Sequence, residues 1–251
     1  MWIDYFSGYF SYLIWMLPAI ILAGFAQYKV RSAYSKNSRI RNSKGITGAE
    51  AARRVLMNNN VTGVNILPTS GKLTDHFNPS NNTIYLSEGV YNEASVAAVG
   101  IAAHEAGHAV QHAEGYLPNK IRAVLVPVSN IGSKLGWILI LLGFAFSGFY
   151  SYYNSSVDTD SFAYELGGVF ILVGIILYST ALLFTLITLP VEFDASKRAL
   201  NTIKASDMLA GEEYKGAKQT LTAAAMTYVA AAFTALLQLL RIITIANRRR
   251  R

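Results

Sequence analysis

Three runs of this chain, 2–26, 135–153 and 167–190, hold roughly 19 to 25 residues each with almost no charge, enough helix to cross a ~30 Å hydrocarbon core. They make it an integral membrane protein, and 52% hydrophobic against 15% charged residues agrees. The first run has no basic leader, carries Asp4, and exceeds the ~7 to 15 apolar residues of a signal-peptide core, so it reads as a retained anchor. A fourth run, 221–246, is rich in Ala and Thr, contains Gln238 and Arg241, and ends in the arginines 248–251. It either spans or lies at the interface or on the soluble part.

The net charge of +7 raises the question of nucleic acid, but its distribution points to a membrane instead. Lys29, Arg31, Lys36, Arg39, Arg41 and Lys44 follow the first run, whereas "SYYNSSVDTDSFAYE" between the second and third has no Lys or Arg. Under the positive-inside rule the N-terminus is outside, 27–122 is cytoplasmic, the loop 154–166 is external, and Lys197, Arg198 and Lys204 are inside again. A spanning fourth run would put the terminal arginines outside, against the rule.

Between the runs the pattern changes to that of a folded domain. "TGAE" at 47–50 fits a capping box, with Thr47 capping and Glu50 reaching back, ahead of an amphipathic helix. "GVNILP" and "NNTIYLSE" are β-prone and separated by turn residues, which predicts a sheet of two or three strands. Residues 95–114 read as one helix stopped by Gly115 and Pro118. Beyond Pro190, "VEFDASKRALNTIKA" predicts a second amphipathic cytoplasmic helix with the proline in its first turn, within a helical part covering 191–220.

The 95–114 helix carries "AAHEAGHAVQH", three of the four histidines. His104 and His108 stand four apart with Glu105 between them, giving H-E-x-x-H. On a helix the i, i+4 pair projects from one face, so two imidazoles converge on one Zn²⁺, while the glutamate, about 100° round, is directed at water on that ion. With no cysteine, any metal must be held by His and carboxylate. A catalytic zinc takes three protein ligands. His112 is excluded, because it lies ~12 Å along the axis from His104; it reads as a helix-end residue. The cytoplasmic carboxylates downstream are Glu114, Glu192, Asp194, Asp207, Glu212 and Glu213. Glu192 is best placed, immediately after the third apolar run. Two crossings separate it from His108, and two crossings return a chain to the side it left. His76, in "TDHFNP", is another possible ligand, a substrate-contacting or transition-state group, or a satisfied loop histidine.

With these residues assembled, the chain closely resembles the bacterial membrane-bound neutral zinc metallopeptidase family of YugP type. The runs that match are "DHFNPSNNTIYLSEGVYNEASVAAVGIAAHEAGHAVQH" and "LPVEFDASKRAL", and the apolar segments around them also correspond. The resemblance implies His104, His108 and Glu192 as zinc ligands and Glu105 as catalytic base. More distantly, the chain is similar to the HtpX-like membrane peptidases, which also put a transmembrane hairpin between H-E-x-x-H and a ligating Glu. Those usually have an Asp four residues after that Glu, where this chain has Ser196; Asp194 lies at i+2, facing away from its partner on a helix.

The expected protein is therefore mainly α, with transmembrane helices and a small α+β zincin-like cytoplasmic domain containing a short sheet. It is a multi-pass cell-membrane zinc endopeptidase acting on the cytoplasmic side, on protein or peptide substrates including membrane proteins, with no nucleic-acid partner. "NNTIYLS" is the expected edge strand for pairing with an extended peptide. An intramembrane protease would need an L-D-G motif, which is absent. The rival class is a catalytically silent zinc-binding scaffold or a transporter, which would want paired polar residues inside the spans; the first three runs offer almost none.

Overall fold

The computed structural model describes residues 2–153 and 162–248. In chain order the elements are α1 (Trp2–Asn37), α2 (Gly48–Asn58), β1 (Asn65–Thr69), β2 (His76–Asn78), β3 (Thr83–Ser87), α3 (Glu88–Tyr91), α4 (Val96–Ala113), α5 (Leu117–Tyr153), α6 (Phe162–Ala205) and α7 (Gly211–Arg248). They divide into two compact units. One, helical throughout its described residues, comprises residues up to 21, 121–187 and from 231 onward; the other, mixed α and β, comprises 22–120 and 188–230.

Among the described residues, four helices contain segments long and apolar enough to cross a membrane: Ser11–Asn37, Leu117–Phe146, Phe162–Ala205 and Gly211–Asn247. In their most apolar windows only 11 to 22% of residues are buried inside the protein, so the remaining apolar side chains need apolar surroundings. This is a mainly α membrane protein. Within the helical unit α5 and α6 touch almost backbone to backbone. A Cβ on Gly136 would stand 2.7 Å from the Gly174 carbonyl oxygen, and one on Gly174 equally close to that of Gly136. In lipid, where apolar burial gives helices little reason to associate, such close van der Waals approach replaces it.

Two expectations change here. The helix expected to begin at Pro190 is instead the C-terminal part of the 44-residue α6, which runs through the proline without a break. Losing one N–H donor costs less than opening the backbone next to an apolar span, where freed groups find no water. The expected external loop 154–166 falls mainly outside the described residues, and 162–166 already belong to α6. Of the terminal arginines, 249–251 also lie outside them.

In the mixed unit α4 is the central element. Ser95 caps it by accepting from the Ala98 N–H at 3.1 Å, and Gly115 follows its end at φ +67°. Its alanines are compact and strongly helix-forming, so α2, α3 and the sheet approach closely around Val55, Leu86, Val90, Val99, Val110, Ile203 and Met208, all fully buried. Each such side chain contributes about 1.5–3 kcal/mol relative to exposure. Thr47 caps α2 by accepting from the Glu50 N–H at 3.2 Å, but the Glu50 carboxylate pairs with Arg54 instead of reaching back, so half of the capping box forms.

The three-stranded sheet has the order β1-β3-β2, with β1 parallel and β2 antiparallel to β3. The strand expected at the edge, β3, is thus in the middle. Ile84 pairs with Ile66 on one side and Phe77 on the other, and Ile84 and Leu86 are completely buried. Its apolar side chains drew it into the core; a three-residue β2 took the edge.

Candidate metal centre

Three groups expected to act together do meet. His104 and His108 project from one face of α4, and Glu192 from α6 reaches the same point. His104 Nε2 and His108 Nε2 are 3.2 Å apart, and Glu192 Oε2 lies 3.3 Å from the first and 3.5 Å from the second. Of all the His, Asp and Glu side chains among the described residues, these form the one group of three whose donor atoms lie within 4.8 Å of one another. The rings meet edge to face at 80°.

Gly107 makes this approach possible. A Cβ there would stand 2.7 Å from the Ala195 carbonyl oxygen, so the glycine inside H-E-A-G-H lets α6 lie directly on α4 beside the two histidines. Glu192 is only 2% exposed, and a buried carboxylate needs compensation from charge or hydrogen bonds.

The other ring nitrogens explain why the Nε2 atoms face each other. Gln111 donates its amide N–H pair to the Val191 carbonyl at 2.8 Å and to Asp194 Oδ2 at 2.9 Å, which turns its amide oxygen to His108 Nδ1 at 3.1 Å. His108 therefore donates from Nδ1 and keeps a lone pair on Nε2. Ser196 Oγ stands 3.1 Å from His104 Nδ1 and is able to accept from it in the same way. In those tautomers three electron-pair donors converge on one point, an arrangement that suits a cation.

The spacing suits zinc. Ligands ~2.0–2.1 Å from a tetrahedral Zn²⁺ lie roughly 3.3 Å from one another, and the three separations here bracket that value. Two imidazoles and one carboxylate leave a fourth position open.

Outward from this centre, Arg198 fixes Asp194, donating from Nε at 2.5 Å, and bonds Glu114 through NH1 at 2.6 Å. The i+2 carboxylate Asp194 thus acts away from Glu192, on Gln111, while Ser196, four residues after Glu192, faces His104. Gln111 is the residue that reading the sequence missed. Its signal was its place three residues after His108, on the same helix face.

Burial disfavours the charged form of His108, but the bond to Glu192 and the nearby charge of Glu105 outweigh it, so its pKa rises above the ordinary histidine value. A cavity of about 290 Å³ opens on the centre, lined by His104, Glu105 and Glu192 together with Tyr34, Asp75 and Tyr228. Burial pushes the Asp75 carboxyl up, against the lowering effect of the N–H and hydroxyl of Ser87, which hold it at 2.7 and 3.0 Å. Its neighbour His76 faces elsewhere: its Nδ1 is 2.8 Å from the Thr74 carbonyl oxygen and its ring stacks on Tyr85. His112 packs on Phe77 at 5.7 Å between ring centres.

Residues 12–247 match the family model described as "Putative neutral zinc metallopeptidase". The chain is also 40% identical over 230 residues, 91% of its length and 93% of the relative's, to "Putative membrane protease YugP" of Bacillus subtilis (strain 168). No solved structure matches it significantly. The cofactor the family implies is zinc, and the donor set described above fits it. On a match that takes in nearly the whole chain, the protein belongs to the neutral zinc metallopeptidases.

Proposed function

We propose that this protein is a multi-pass membrane endopeptidase in which His104, His108 and Glu192 hold zinc and Glu105 is the general base. The observation that carries this reading is the convergence of three lone-pair donors, at tetrahedral spacing, beside a cavity that Glu105 also lines. Zinc bound there supplies a Lewis acid that polarises the scissile carbonyl and lowers the pKa of water toward ~7. Glu105 takes the proton of the attacking water and delivers it to the leaving amine nitrogen. Gln111 and Ser196 keep the two imidazoles in the tautomer that presents Nε2.

The substrate strand pairs on β2, whose outer edge has no sheet neighbour among the described residues, and not on β3, which has neighbours on both sides. β2 follows directly on Asp75, at the wall of the cavity. Charge asymmetry favours a cytoplasmic active site, so cytoplasmic proteins and the inner ends of membrane proteins are the substrates.

The test compares purified wild type with Glu105→Gln for bound zinc and for casein degradation or self-cleavage. The variant is expected to keep its zinc and lose roughly 10²- to 10⁴-fold in hydrolysis. Zinc in both without hydrolysis in either would instead make the protein a silent zinc-binding scaffold, and no zinc in either would remove the metal altogether.

A further inference from the structure

The helical unit has its own open cavity, of about 680 Å³, lined by residues of α1, α5, α6 and α7. Its walls are largely aliphatic and aromatic, yet Lys134 and Arg241 both line it, with Tyr178 and Gln238. No Asp or Glu is among the described residues that line it.

The polar groups here all offer protons. Tyr178 donates its hydroxyl to the Gln238 amide oxygen at 2.6 Å, which uses that acceptor and leaves Gln238 its N–H pair. Arg241 lies over the face of Tyr12, 4.6 Å from the ring centre, a contact that leaves the guanidinium N–H edge available. Lys134 has no ion pair among the described residues. Both cations belong to helix segments apolar enough to cross a membrane. A charge held there is costly and marks a site needing a partner, and two like charges on one cavity raise the cost further.

We infer that this cavity binds an anionic phospholipid, with Lys134, Arg241 and the Gln238 amide on its phosphodiester and its acyl chains along the apolar walls. The volume and the apolar lining exceed what free phosphate requires. Both cations ride on long flexible stems, so they can follow a headgroup toward the interface. Arg and Lys together supply charge-assisted hydrogen bonds that a zwitterionic headgroup satisfies only in part.

The experiment uses the full-length protein in detergent, delipidated and then re-exposed to mixed vesicles of phosphatidylglycerol and phosphatidylcholine. Lipid that stays bound after washing is measured by mass spectrometry. Wild type is expected to retain phosphatidylglycerol preferentially, and inorganic phosphate in excess is expected to leave that retention unchanged. Lys134→Gln/Arg241→Gln should lower the preference roughly tenfold or more, while Lys204→Gln/Lys218→Gln, which removes two exposed cations of the mixed unit, should not. Equal retention of the two lipids by wild type, displacement by phosphate, or an undiminished preference in the cavity variant would each overturn the inference. Should the cavity variant fail to fold, a benzophenone amino acid in place of Leu141, which lines the cavity, must crosslink to phosphatidylglycerol in preference to phosphatidylcholine. Crosslinking to both alike, or to neither, would overturn it too.

Discussion

Between residues 22–120 and 188–230 the chain positions side chains by excluding water. Thirteen of the eighteen residues of α4 are buried, polar groups bond in chains such as Arg198–Asp194–Gln111–His108, and side-chain caps start α2 and α4. The helical unit has no such gradient to use. Most residues of the span windows face outward, and what fixes the helices is close backbone approach at positions such as Gly136 and Gly174. The comparison shows where precision is available. A centre needing several donors within a few tenths of an ångström is built in the unit with a dense, hydrogen-bonded core; the other unit tolerates a broad cavity.

That contrast can be broken by substitution. The largest effect is expected for Glu192→Ala, which removes one of the three donors and leaves two imidazoles facing a void. Zinc affinity should fall by more than the 10- to 100-fold typical of outer-shell changes, as read by competition with a chromophoric chelator. Gln111→Leu keeps the ligands but frees the His108 ring, and should cost about 10- to 100-fold in the same titration. A change in thermal midpoint with no change in affinity would reduce Gln111 to a packing role.

Overpacking the two glycine contacts compares the units directly. Gly107→Ala and Gly136→Ala each drive a methyl against a backbone carbonyl at 2.7 Å and should each cost about 1–3 kcal/mol of stability. The account predicts that Gly107→Ala also weakens zinc binding, because Ala195 lies on the helix turn that carries Glu192 and Ser196, and that Gly136→Ala leaves zinc affinity unchanged.

The smallest effect concerns pH. The Asp75 carboxyl is held above its ordinary 3.8 by burial. A raised folded-state value means that protonation favours the folded form: this contribution is present at low pH and lost as pH climbs through the folded pKa. Asp75→Asn keeps an acceptor for Ser87 and has no charge to bury, so the fall in stability just above pH 3.8 should flatten. Denaturant midpoints followed across that acid range check it, and an unchanged slope would contradict it.

Much of this was legible in the chain because the signals are local. Gly115 marks the end of α4 as a left-handed stop, and the spans announce themselves by length and charge. The parity of crossings predicts Glu192 on the side of His108, and the three donor groups do meet. What stayed hidden depends on neighbours distant in sequence. β3 looks like an edge strand until its two partners claim both sides, and Pro190 looks like a helix start until the apolar surroundings keep α6 continuous. Gln111 looks like one more polar residue on an alanine helix; its role appears only when Val191 and Asp194 of α6 turn its amide.

The most direct test is zinc K-edge X-ray absorption with metal analysis on the purified protein, alongside Glu192→Gln. The account predicts one zinc per chain with two imidazole nitrogens and a carboxylate oxygen at ~2.0–2.1 Å, and loss of the oxygen ligand in the variant. A zinc shell with fewer than two imidazoles, or one the same in both proteins, would contradict it.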